Sequence, residues 1–180
     1  MIRLNQNGSL DTSFGANGIV TWASPSGGAD YANNLALQPD GRIVVAGASS
    51  TDTGYRIAVL RLLASGQPDT AFGQGGVVTY TGLVGTDAYP YGVIVQPNGR
   101  IVIAGSSLDG AGKRDAVVLG YTASGLPDPL FGVNGLFVFA GPGGGDDVAS
   151  GLALQPDQAV AVTGYSTNGR YDAALTFRLK

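Results

Sequence analysis

Two long motifs recur along this chain at one shared spacing, and that repetition limits its possible folds more than any other feature. The segment SLDTSFGANGIV at 9–20 returns as QPDTAFGQGGVV at 67–78 and as LPDPLFGVNGLF at 126–137. The aspartates of the three copies, Asp11, Asp69 and Asp128, are 58 and 59 residues apart. LALQPDGRIVVAG (35–47), VIVQPNGRIVIAG (93–105) and LALQPDQAVAVTG (152–164) keep the same steps. A shorter marker follows them: Ile2-Arg3-Leu4, Leu60-Arg61-Leu62, Leu119-Gly120-Tyr121 and Phe177-Arg178-Leu179. The 180 residues are therefore three units of about 58, with a short overlap at the two ends.

Each unit reads as four short strands. Tyr31, Asn33, Leu35 and Leu37 alternate with Ala32, Asn34, Ala36 and Gln38, which predicts a first strand over 31–38 with one face of small residues. A tight turn follows at Pro39, Pro97 or Pro156, because proline presets φ and a glycine two places later accepts positive φ. Second strands are expected at 42–48, 100–106 and 159–165, and third strands at 55–63, 114–122 and 171–179. A fourth strand closes each unit on an aromatic residue, Trp22, Tyr80 or Phe139, the first of these over 18–22. Four strands per repeat joined by Gly, Pro, Asp and Asn turns form a β-propeller blade, so the expected fold class is all-β.

Composition removes most chemistries. Cysteine and histidine are both absent, which excludes disulfides, thiolate zinc sites, cysteine nucleophiles and every imidazole-based triad. All 13 acidic residues are aspartates, and the net charge of −3 with only Lys113 and Lys180 as lysines argues against nucleic acid as a partner. No apolar run approaches the roughly 18 residues of a membrane helix, and the start, MIRLNQNGSL, has no export-type apolar stretch. Gly141-Pro142-Gly143-Gly144-Gly145 lacks the Lys-Ser/Thr of a phosphate loop.

The unit boundaries divide the chain into part of a blade at 1–23, complete blades at 24–82 and 83–141, and the first three strands of a blade at 142–180. Three blades are too few for a ring, since propellers close with about 4–8. Left open, such an array exposes strand edges and apolar blade faces. The expected resolution is a homodimer: two half-rings form six blades, each lending its first segment to the last blade of the other. A fragment of a longer chain, or a larger ring, are the alternatives.

RLNQNGSLDTSFGANGIV, DYANNLALQPDGRIVVAG and YRIAVLRL together resemble the bacterial delta-60 repeat, a propeller-type repeat of uncharacterised function. The resemblance covers nearly the whole chain in three copies. It implies a propeller fold and an extracellular or cell-surface setting, and no particular chemistry. The chain departs from the pattern in having only three copies and no export signal. Arg56 stands where the second copy has Asp115, and Pro156-Asp157-Gln158 lacks the glycine of the turn.

Several repeated residues are candidates for function. Asp11, Asp69 and Asp128, in D-x-x-F-G, could each present a carboxylate once per blade. The plainer reading is a turn cap, with Phe14, Phe72 and Phe131 plugging the space between blades. Asp40, Asn98 and Asp157 exchange Asp for Asn at one position, which fits turn chemistry and not catalysis. Asp30, Asp87, Asp146 and Asp147 precede the innermost strands and would line one mouth of the central channel, eight carboxylates in a six-bladed dimer. Such oxygens suit Ca2+, whereas the plainer reading is a solvated acidic rim. Tyr31, Tyr89 and Tyr91 start the same strands and could hold a sugar or a cationic ligand, or simply pack between blades. The repeat is little broken, which favours a non-catalytic binding or structural module. A hydrolase of the lactonase or esterase type, using a divalent cation at the channel mouth, is the alternative, by analogy of architecture. An engineered or excised repeat array with no function of its own is the third.

Overall fold

The repeats fold into successive antiparallel sheets. The computed structural model describes residues 1–85, 87–167 and 172–179, with backbone alone over 172–177. Strands β1 (Asp30–Leu37), β2 (Ile43–Thr51), β3 (Gly54–Leu62) and β4 (Val77–Tyr80) form a first sheet, paired in chain order. Strands β5 (Ala88–Val95), β6 (Ile101–Leu108), β7 (Arg114–Tyr121) and β8 (Leu136–Phe139) form a second. Strands β9 (Asp147–Leu154), β10 (Val160–Thr167) and β11 (Asp172–Leu179) form a third, three-stranded sheet. Among the described residues there is no helix, so none is long and apolar enough to cross a membrane. This is an all-β chain of propeller-type blades, and the three sheets are called blades 1 to 3 below.

Alternation within the strands gives each blade two apolar faces. Ala36, Val44, Ala46, Ile57 and Val59 of blade 1 meet Val93, Ile101, Ile103 and Leu119 of blade 2 in one core. Val102, Ala104, Ala116 and Val118 of blade 2 meet Leu152, Val160 and Val162 of blade 3 in the next. β1 touches β5 and β5 touches β9, which sets the first strands side by side where the blades converge. Their small residues permit that approach.

A bulge recurs in every first strand, leaving Asn33, Tyr91 and Ser150 as the extra residue. Opposite each lies a glycine of the second strand, Gly47, Gly105 or Gly164. A Cβ on any of them would overlap the carbonyl oxygen of Tyr31, Tyr89 or Val148. These glycines are required by close backbone approach, not by positive φ. The hairpin turn differs: Gly41 (φ 83°) and Gly99 (φ 84°) are left-handed, and Gln158 adopts φ 68° at the same place in the third copy. Gln96 of blade 2 donates a 2.7 Å hydrogen bond to the Gln158 carbonyl, which helps hold that turn.

Residues 18–22, expected to be a strand, form no ladder. A single bridge joins Ile2 to Ile19, and Val20 exchanges backbone bonds with Met1. The partner beside this segment is only Met1–Leu4, whereas β4 and β8 each lie along a full third strand through four registered pairs. Tyr171, the first residue of the third strand expected at 171–179, lies outside the described residues.

Gly105→Ala should therefore destabilise the fold by about 1–3 kcal/mol, the usual cost of overpacking. Gly110→Ala, in open space without positive φ, should leave the melting temperature nearly unchanged. Thermal unfolding followed by circular dichroism separates the two.

Candidate functional site

The D-x-x-F-G turn is an ion-paired clasp between consecutive blades. In each copy the Asp carboxylate accepts a backbone N–H two residues on: Asp11 from Ser13 (3.0 Å), Asp69 from Ala71 (3.2 Å) and Asp128 from Leu130 (2.9 Å). The other oxygen meets arginine. Arg3 Nε lies 2.8 Å from Asp11, Arg61 Nε 2.8 Å and Arg42 Nε 3.1 Å from Asp69, and Arg100 pairs with Asp128. The Arg3 guanidinium lies 4.4 Å from the Phe14 ring centroid, and that of Arg61 4.6 Å from Phe72. In the third copy Gly120 takes the arginine position, and the Phe131 ring occupies the space a side chain would need. Phe14, Phe72 and Phe131 are all buried, each against the second strand of the following blade.

The same turn reaches forward through its backbone. Gly15 N–H donates to the Ser65 carbonyl (2.8 Å), and Gly73 N–H to that of Ser124 (2.9 Å). Arg3 Nη1 donates to the Ala64 carbonyl, and Arg61 Nη1 to that of Ala123. These positions are occupied by structural bonds that recur from blade to blade.

The four aspartates of the channel mouth fall into two sets. Asp87 and Asp146 reach across to the preceding blade, accepting from Tyr55 N–H (3.1 Å) and Arg114 N–H (3.0 Å). Asp30 and Asp147 brace the loop before their own strand, accepting from Ser24 N–H (2.8 Å) and Gly141 N–H (2.6 Å). The second carboxylate oxygen of Asp30 and of Asp147 is buried with no hydrogen-bond partner. Among the described residues no three of His, Cys, Asp and Glu come close enough together to hold a metal ion. Asp115 stands apart. Burial raises its carboxyl above the ordinary 3.8, and the nearby Asp109 and Asp147 charges add to the rise.

Two of the three tyrosines join a row. Tyr31 stacks at 6.0 Å on Tyr55, Tyr55 at 5.2 Å on Tyr89 of the next blade, and Arg114 lies 5.0 Å over Tyr89. Tyr31 is exposed and Tyr89 half-buried. A hydrogen bond with Tyr31 raises the phenol of Tyr55, and burial raises that of Tyr89. Tyr91, the bulge residue, is exposed and lies outside the row; its carbonyl accepts from Asn34 Nδ2. Sequence reasoning had no reason to select Tyr55 or Arg114. Equally unread was the clasp arginine, although Arg3 and Arg61 each precede their aspartate by eight residues.

Asp69→Asn should cost about 3–5 kcal/mol, since it leaves the buried Arg61 unpaired, whereas Asp11→Asn, at the half-buried Arg3 pair, should cost less. Urea titration of the two variants gives the comparison. Asp115, whose folded pKa is raised, binds its proton more readily in the folded state, so it subtracts stability as pH rises above 3.8. Asp115→Asn should thus be at least as stable as the parent at pH 7, and the difference should vanish below pH 3.8. Melting temperatures across that range read the sign directly.

No curated protein and no solved structure matches the chain. Residues 1–14, 38–72 and 96–131 match the sequence pattern of a family described as a domain of unknown function (DUF5122) beta-propeller. The three matched stretches each contain part of the clasp or the hairpin turn, and with the three sheets they place the chain among propeller-type repeats.

Proposed function

We propose that the chain is a non-catalytic propeller module whose function is assembly through its blade faces, with a repeat of the delta-60 kind. One observation carries this reading. Leu35 and Leu37 on the leading face of blade 1 are 50% and 69% exposed, while Val93, at the place of Leu35 in blade 2, is 6% exposed beneath its neighbour. Met1, Val20 and Phe14 cover the rest of that face, against Ile43, Val45 and Leu62. A cleft of about 300 Å³ remains between them, lined by Val20, Trp22, Tyr31, Val45 and Leu60. Burying two leucines contributes about 1.5–3 kcal/mol each, enough to favour a covering blade.

The covering blade comes from a second copy. Blade 3 offers the face that would follow it in the series, where Ala161 stands at the place of Val44 and Val102 and leaves room for a leucine. Two half-rings then close into six blades. The β11 strand of one copy pairs with residues 18–22 of the other, displacing Met1–Leu4 from the register they now hold. In the closed ring the tyrosine row and both sets of mouth aspartates surround the channel. The exposed ring of Tyr31 favours a sugar or a cation there as a secondary role. Carboxylates from both copies would be needed to complete a Ca2+ site.

Light scattering across a concentration series should give about 36 kDa, twice the 18.1 kDa chain, and Leu37→Asp should return the particle to the mass of one chain. A single-chain mass at every concentration overturns the assembly.

A further inference from the structure

The outer rim carries a second surface, which shares Trp22 with the cleft beneath the covering blade. A groove of about 940 Å³ runs along the outer edge of β4. Its walls include Trp22, Pro25, Tyr80, Tyr121 and Leu126, and Arg56 is the one charged residue lining it. β4 ends its sheet; Val77 exchanges backbone bonds with Gln74, which leaves the outward N–H and C=O of Thr79 without a partner strand among the described residues. The edge strand is also short and slightly polar, with Thr79 exposed and Val78 and Tyr80 half-buried.

Arg56 is anomalous twice. Arg3, Arg42, Arg61 and Arg100 pair with aspartates and Arg114 lies over the Tyr89 ring, whereas among the described residues Arg56 has neither a carboxylate nor a ring against it, and its Nε is buried without a hydrogen-bond partner. It also breaks the repeat: β3 carries Arg56 opposite Ser49, and β7 carries Asp115 opposite Ser107. A half-buried guanidinium with its Nε shut off from water and no counter-charge gains from a ligand that supplies one. Burial raises the phenols of Tyr80 and Tyr121, so both stay neutral and cannot supply it.

From this juxtaposition we infer that the β4 groove binds an extended peptide segment carrying a carboxylate. The peptide adds as a short further strand to the β4 edge beyond Val77, and its backbone satisfies the outward groups of Thr79. Its side chains alternate over the edge, some toward Trp22 and Arg56 and the others toward Tyr80, Tyr121 and Leu126. The acidic side chain meets Arg56 in a charge-assisted hydrogen bond.

Trp22, the only tryptophan of the chain, reports on the groove. The probes are acetylated, amidated pentapeptides of alternating valine and threonine, with one aspartate moved through the five positions, and a matched asparagine set. At least one aspartate peptide should shift the Trp22 emission saturably, and its asparagine twin should bind about tenfold more weakly, the worth of one charge-assisted bond. Arg56→Gln should erase that tenfold preference and Arg56→Lys should keep part of it. Backbone amide shifts should centre on β4. The inference fails if no aspartate peptide shifts the emission, if the two sets bind equally, if free acetate shifts it as strongly, or if the shifts centre on Leu35 and Leu37 instead. The comparison of aspartate and asparagine peptides on the unaltered chain decides the matter even if the Arg56 variants do not fold.

Discussion

Everything in this structure depends on how one blade holds the next. Phe72 fills the gap between blades 1 and 2, Arg61 stacks on its ring and reaches the Ala123 carbonyl, and Gly73 donates to Ser124. One turn of a dozen residues thus contributes apolar burial, a buried ion pair and a backbone bond across the same boundary. Burying arginine and aspartate together gains little by itself, because desolvation offsets the Coulomb attraction. What the pair provides is a fixed geometry. It orients the guanidinium toward the neighbouring carbonyl and holds the turn against the phenylalanine.

This arrangement explains what so many of the repeated aspartates do in the fold. A chain with no helix among its described residues and 30 glycines has many turns, and each turn leaves N–H groups to be satisfied. Aspartate answers that need at Asp40, Asp69, Asp109 and Asp157, accepting from the backbone two residues on. At the channel mouth Asp87 and Asp146 serve the same need across a blade boundary, binding N–H groups of the preceding blade.

Much of the fold was legible because strand period and turn chemistry are local. The hairpins around Pro39, Pro97 and Pro156 follow from proline, Asp or Asn, and a left-handed residue, and Gln158 shows that the surroundings can impose the last of these without glycine. What escaped was non-local. Nothing in the spacing of Arg42 announced that it reaches Asp69, and Tyr55 joins Tyr31 to Tyr89 only because two blades converge. The strand expected at 18–22 failed for a related reason: strand propensity is realised only beside a partner long enough to pair with.

The clasp also has a direction. Its phenylalanine, its arginine and its glycine N–H all project from one unit onto the unit that follows, and none of these contacts is reciprocated. The array is consequently polar, with a leading face and a trailing face that differ in shape and composition. Contacts of that kind are heterologous, so copies joined through them would add head to tail, and the angle between successive blades would set whether they close or continue. A small change in that angle would turn a closed particle into a helical filament built from the same contacts.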